Sequence, residues 1–322
     1  MPECPACQTR RDEISYIETY VSTFNNQEYK LYHCPTCDLQ WWEPLKIIPE
    51  FYEMEYELLH MGLREEIEEY HRIFFRYIPL KLGRLLDVGC GDGVFLKEAL
   101  KAGFEVWGID FDSKSIGICQ EKWGLKNTFV MTPQEFAEFC QKEGLKFDVI
   151  TFFEVLEHQD RPREFLEAIK SMLKPGGYVA GSVPNRESWI LKIGGRKVNK
   201  WDFPPNHFLR FSKYALNNFY KSAGFTDIFI EPTLVKISEL VPYLQVLISG
   251  NRINRLLRKT ITTHELAGEG TSIYKSLPVW RKAVFKGLRG IRFLVLFPFA
   301  LGVKFKTSGV CLYFQAKMEA QV

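Results

Sequence analysis

Three sets of residues in this chain have the types and spacing to do chemistry. Glu154-Val155-Leu156-Glu157-His158 places two carboxylates and an imidazole within one short segment. Phe203-Pro204-Pro205-Asn206-His207 sets a second imidazole behind two prolines, which stiffen the loop that carries it. Imidazoles titrate near neutrality, so His158 and His207 are the candidate general bases, with Glu157 as their companion. The plainer readings are that Glu157 and His158 cap the next helix, and that either histidine is a buried structural group. The third set is Cys4-Pro5-Ala6-Cys7 and Cys34-Pro35-Thr36-Cys37, separated by 26 residues. Two knuckles of this kind supply Cys4, Cys7, Cys34 and Cys37 as thiolates for a tetrahedral, structural zinc with no open position. A redox pair would stand alone in a thioredoxin-like setting, and none is present.

A glycine-rich turn, Asp87-Val88-Gly89-Cys90-Gly91-Asp92-Gly93, follows the apolar run Leu85-Leu86. Glycines there permit positive φ and close approach of a ligand to bare backbone. An acid, Asp110, ends the next apolar run 21 residues after Gly89, where it can accept from ribose hydroxyls. A dinucleotide site would space its third glycine one residue later and would keep carboxylates away from the pyrophosphate. Here Asp87 and Asp92 sit inside the turn. The pattern favours a ligand with a ribose and a cationic group over one with a diphosphate. A turn that merely packs a strand on a helix is the alternative.

The elements that must position these residues alternate. From Arg84 to Val183, strands at Arg84–Val88, Glu105–Ile109, Asn127–Val130, Phe147–Phe153 and Tyr178–Val183 are interleaved with helices at Gly93–Ala102, Ser113–Trp123, Pro133–Glu143 and Arg163–Leu173. That order predicts an α/β fold, a parallel sheet with helices on both faces. A helix at Ser212–Ala223, a strand at Thr226–Pro232 and a closing strand at Val310–Ala316 complete it. The expected organisation is a zinc ribbon over 1–45 with short strands at Ser15–Thr23 and Glu28–Tyr32, then a helical linker over 46–80. The sheet domain spans 81–235 plus 308–322, and a basic helical insertion fills 236–307, far longer than an ordinary connection.

The chain has 322 residues, 46% hydrophobic and 15% aromatic, ample for one core with smaller additions. No secretory signal is recognisable at Met1, and the longest apolar run, Phe293 to Val303, is too short to span a bilayer. With cysteines spaced for metal, the expected location is cytoplasmic. Between Val235 and Val310 stand 13 Lys/Arg against 3 Glu, within a chain whose net charge is only +3. This basic segment reads first as a lid over the acceptor, and next as a platform that touches the inner face of the membrane. Residues 1–45 carry only Arg10, Arg11 and Lys30 as cations, which weighs against nucleic acid as a partner.

Asp87–Gly93, Asp110, Phe153–His158, Leu173-Lys174-Pro175-Gly176-Gly177 and Val183-Pro184-Asn185 together resemble class I S-adenosylmethionine-dependent methyltransferases. The similar branch holds ubiquinone-pathway O-methyltransferases and many sugar and natural-product methyltransferases. The resemblance covers 82–232 and, more weakly, 310–317. It implies a Rossmann-like seven-stranded sheet with the last strand antiparallel, and S-adenosylmethionine as cofactor. It implies cofactor contacts at Asp87, Gly89, Cys90, Gly91 and Gly93 in the turn. Beyond the turn it implies Asp110, Phe111 and Glu154. Glu154, Glu157 and His158 are also candidates for a divalent ion, as in similar motifs of the ubiquinone-pathway enzymes. Where the family usually has an acidic adenine contact, this chain reads Val130-Met131-Thr132-Pro133; where relatives often carry two histidines, Asn206 replaces the first. The expected activity is O-methylation of a small-molecule, sugar or glycolipid intermediate, the acceptor being free or lipid-linked. C-methylation of a sugar nucleotide, RNA methylation through the ribbon, and a non-catalytic cofactor-binding partner are the alternatives.

Overall fold

The computed structural model describes residues 2–10, 12–48, 51, 66–188, 202–234 and 309–319. The basic insertion over 236–307, with the lid and membrane readings attached to it, lies outside the described residues. So does most of the helical linker, 52–65.

The N-terminal strands β1 (Ser15–Val21), β2 (Glu28–His33) and β3 (Gln40–Glu43) form an antiparallel meander. Trp41 and Trp42 are neighbours on β3, so they point to opposite faces, yet both are fully buried. One faces the main core beside Leu39 and Phe211, the other a smaller cluster with Tyr29, Leu31, Phe203 and Phe208. A strand buried on both faces has protein on each side.

The linker is not one continuous helix. Glu66–Glu68 are non-helical, and helix α1 runs from Glu69 to Tyr77, its start fixed by reciprocal bonds between Glu68 and His71. Alternation then follows: β4 (Gly83–Val88), α2 (Val94–Lys101), β5 (Phe104–Asp110), α3 (Ser113–Trp123), β6 (Thr128–Val130), α4 (Pro133–Glu143), β7 (Phe147–Phe153), α5 (Pro162–Met172) and β8 (Leu173–Pro184). Two-residue β9 (Leu209–Arg210), α6 (Lys213–Ser222), β10 (Phe225–Pro232) and β11 (Cys311–Met318) close the chain.

Seven strands make one sheet in the order β10-β11-β8-β7-β4-β5-β6. β4 pairs in parallel with β5 and β7, β5 with β6, and β7 with β8, while β11 runs antiparallel between β8 and β10. The fold is therefore the Rossmann-like α/β sheet expected, closed by its antiparallel strand. Central strands buried on both faces read as apolar runs, and Leu85, Leu86, Val149, Ile150 and Phe152 are all fully buried. Each such side chain contributes about 1.5–3 kcal/mol through the apolar surface it removes from water.

The second sheet, β1-β2-β3-β9, includes β9 from the far side of the chain: Gln40 pairs with Arg210 and Trp41 with Leu209. Neither β3 nor β9 has enough alternating residues to be predicted from the sequence. Their pairing ties the cysteine segment to the loop carrying His207.

Candidate functional site

Open parallel sheets leave a crevice at the carboxyl ends of their strands, and the candidate residues gather there. The glycine turn leaves β4, folded back on β5 by Gly89 and Cys90 amides that donate to the Ile109 carbonyl. At Gly91, φ is +51° and an added Cβ would meet nothing within 4 Å among the described residues, so bare backbone is open there. That is what a ligand needs for close approach. Gly93 differs: φ is +77°, and a Cβ would stand 2.7 Å from Cys119 Sγ. It is there to let α2 start. Cys90 turns its thiol into the core beside Cys119, so its part in the turn is its backbone.

Asp110 ends β5, accepting from the Gly91 amide on one carboxylate oxygen and from the Asp112 amide on the other, each at 2.9 Å. A carboxylate has about four lone-pair sites, so both oxygens keep capacity for ribose hydroxyls. Asp87 accepts from Thr151 Oγ1 at 2.7 Å. Burial pushes Asp87 up to about 8, opposed by the Thr151 bond and aided by repulsion from Asp110, which burial raises as well. Two buried acids raised in this way are a site short of positive charge, and a methionine ammonium with its neighbouring sulfonium would supply it. Phe111, 56% exposed at the mouth of this turn, offers a flat apolar surface next to Asp110. Thr132, at the expected adenine position, spends its hydroxyl on α4: it accepts from the Glu135 amide while Glu135 accepts from Thr132.

Beyond β7 the chain enters a short 3₁₀ turn, Leu156–His158, packed against the glycine turn: a Cβ on Gly89 would lie 2.6 Å from Val155. Glu157 is completely buried, and among the described residues neither carboxylate oxygen has a hydrogen-bond partner. Burial first, then the nearby Glu154 carboxylate, hold its carboxyl well above the ordinary range. His158 Nδ1 lies 2.8 Å from the Asn206 carbonyl. A carbonyl can only accept, so Nδ1 carries a proton; Nε2 lies 4.0 Å from Glu157 Oε1, and the Glu154 backbone also interacts with the ring. Burial, reinforced by His207, lowers His158 to about 3 and keeps the ring neutral. The rings of His158 and His207 cross with centroids 4.8 Å apart. His207 Nδ1 is 3.4 Å from Asp202 Oδ1, and Arg210 reaches the other Asp202 oxygen at 3.3 Å.

One ligand atom each from Glu157, His158 and His207 lies within 4.8 Å of the other two. Two imidazoles and a buried carboxylate are donor types that could hold a cation. The expected ion set was Glu154, Glu157 and His158; among the described residues, the ligand atoms that lie together are those of Glu157, His158 and His207. Glu154, in left-handed backbone at φ +54°, instead accepts from Ser182 Oγ at 2.6 Å, with Cys311 Sγ 3.8 Å from its other oxygen. Asp202, the Asn206 carbonyl and Arg210 were not predicted. Their roles depend on loop geometry that carries no periodic signal, although an acid five residues before His207 was a hint.

The four N-terminal thiols converge, Cys4 to Cys37 at 3.6 Å and Cys7 to Cys34 at 3.5 Å. These separations are too long for disulfides and match sulfur atoms about 3.8 Å apart on a tetrahedron of ~2.3 Å metal–sulfur bonds. The Cys37 hydrogen bond holds Cys4 near about 5, toward thiolate, and correspondingly raises Cys37. Among the described residues no helix is long and apolar enough to cross a membrane.

The family model described as methyltransferase domain matches residues 59–229, more than half of the chain. A ubiquinone biosynthesis O-methyltransferase of Bordetella avium is 29% identical over 223 residues, covering 66% of this chain and 84% of that protein. One from Cereibacter sphaeroides is 31% identical over 168 residues, 50% of this chain and 67% of that protein. Among solved structures, a chain from the complex between the Haloferax volcanii Trm112 methyltransferase activator and a methyltransferase superposes with a TM-score of 0.51. It is 13% identical, with 86% of this chain and 99% of that one covered. At that identity the likeness speaks for the fold alone.

Proposed function

The chain belongs to the methyltransferase domain family and is an S-adenosylmethionine-dependent methyltransferase, and we propose that it O-methylates a small-molecule, sugar or glycolipid biosynthetic intermediate. The observation that carries this is the convergence of Glu157, His158 and His207 against the glycine turn. The relatives named for O-methylation in ubiquinone biosynthesis support oxygen as the accepting atom. S-adenosylmethionine, when bound, supplies an electrophilic methyl on a sulfonium. Asp87, Asp110, Gly89, Gly91 and Phe111 are the residues that would hold it, with Glu154 beside them.

The work left to this chain's residues is to align the acceptor and remove its proton. His158, with Nδ1 bonded to the Asn206 carbonyl, and His207, held by Asp202, are the candidate bases for that proton. Glu157, its carboxyl held high by burial, stands beside them as a buried acid that a cation would favour in its charged form. A divalent ion, when held by these three, would lower the pKa of an acceptor hydroxyl. Cys4, Cys7, Cys34 and Cys37 would hold a structural zinc.

Methyl-labelled cofactor incubated with the protein and fractionated cell extract tests the acceptor class. Label is expected in the small-molecule or lipid fraction; label confined to RNA would refute it. His207→Ala should lower transfer about 100-fold with cofactor affinity kept, and unchanged turnover would remove His207 from the mechanism. Manganese(II), followed by its spin resonance, should bind wild type but not Glu157→Gln. Equal binding by both would leave the ion without its site.

A further inference from the structure

We propose that the cysteine ribbon is a positioning element of the acceptor site, and that Asp38 is the residue that fastens it. The inference rests on the reading of Glu157, His158 and His207 given above.

Residues 202–212 carry most of what shapes that trio. His207 lies in this segment, the Asn206 carbonyl is bonded to His158 Nδ1, and the Phe208 amide donates to the Glu157 carbonyl at 2.9 Å. The segment has two residues of regular structure, β9, and their sheet partner is β3 of the ribbon. The Trp42 amide donates to the Phe208 carbonyl at 3.0 Å, so Phe208 is bonded to Glu157 on one side and to the ribbon on the other. Arg210, on β9, bridges to the Asp202 that holds His207. Among the described residues, the Asp202 and backbone constraints on His207 thus lead within two or three bonds to β3.

Beside this pairing, Asp38 joins the ribbon to the body through its side chain. It follows Cys37 in left-handed backbone, φ +65°. Arg186 donates to its carbonyl and to its Oδ2, each at 2.6 Å, and Ser212, the N-cap of α6, donates to the same oxygen. Its other oxygen lies 3.0 Å from His33 Nε2. Arg186 in turn donates its amide to the Phe211 carbonyl. One carboxylate therefore gathers the ribbon, the end of β8 and the start of α6 around the loop. Two backbone pairs in β9 are too few to hold a strand alone, so releasing Asp38 should free the loop while leaving the glycine turn intact.

The test compares wild type, Asp38→Ala and Asp38→Asn with Cys140→Ala, a buried substitution on α4 that lowers stability without touching the latch. Hydrogen exchange of 203–211, cofactor affinity, and methyl transfer into extract are read together. Asp38→Ala should exchange about tenfold faster or more in this segment and lose about 100-fold in turnover, with cofactor affinity within twofold. Asp38→Asn, which keeps an acceptor for Ser212 and Arg186, should recover part of both. Unchanged exchange in a folded Asp38→Ala protein would overturn the proposal, as would an equal effect from Cys140→Ala. Should Asp38→Ala fail to fold, Arg186→Lys is read by the same criteria. Should wild type transfer no label, the acceptor reading fails and the exchange comparison still decides this one.

Discussion

Gly91 and Gly93 are two residues apart, both at positive φ, and their contacts give them opposite consequences when changed. Gly91 is open among the described residues, so Gly91→Ala adds only left-handed strain of about 1–2 kcal/mol. Its expected effect is a cofactor affinity at least about tenfold weaker, by calorimetry, with a small shift in melting. Gly93→Ala adds the same strain and drives a methyl group into Cys119 and Leu125, for a total of roughly 2–4 kcal/mol. Its melting temperature should fall far more. Asp87 gives a pH signature. Its folded pKa, about 8, lies above the ordinary carboxylate value, so the native state keeps a proton that the unfolded state releases. Stability from this group is therefore present below the unfolded pKa and lost as pH rises from about 4 to about 8. Asp87→Asn keeps an acceptor for Thr151, and urea unfolding should show a smaller loss between pH 5 and pH 8 than wild type; an identical slope would show that Asp87 does not carry it. At this scale the turn was legible because its signal is local, glycines and acids within seven residues. Asp38 with Arg186 was not, since 148 residues separate them and no spacing announces the pair.

Helix ends were legible for the same local reason. α3 and α4 begin and end where the sequence places them, Asp112 capping the first and Thr132 the second, each closed by a glycine at positive φ. α6 begins at Ser212, whose hydroxyl accepts from the Ala215 amide as any cap would. It also donates to Asp38, which only the fold reveals. The two caps make a comparison: Thr132→Ala should cost about 1 kcal/mol, the ordinary loss of a cap. Ser212→Ala should cost about 1 kcal/mol more than that, because the half-buried Asp38 carboxylate loses a charge-assisted hydrogen bond as well. Chemical denaturation of the two variants measures the difference; equal losses would mean that the Ser212–Asp38 contact adds nothing. Strands β3 and β9 stayed hidden because four and two residues are too short for a period. Adjacent Trp41 and Trp42 were the available signal, two large apolar groups on opposite faces of one strand.

At the scale of the whole molecule, the ribbon and the sheet meet among the described residues. Cys4, Ile14, Cys34, Leu39 and Trp41 belong to the same buried cluster as Phe136, Phe152, Leu216 and Phe314, so ribbon and sheet share one core. A segment of 45 residues has too little apolar surface to fold alone, which is why such pieces rely on metal. Here the ribbon has two supports, the thiolate cluster and a face packed on the methyltransferase body. Zinc binding to the native state should then stabilise the entire protein and not a separate bead. Heated in the presence of a chromogenic chelator, the protein should release about one zinc per chain at the same midpoint at which the far-ultraviolet helix signal is lost. Asp38→Ala, with the fastening released, should shift zinc release to lower temperature than the helix signal. Release well below the global transition in wild type would mean that the ribbon unfolds on its own and that its packing against the sheet contributes little.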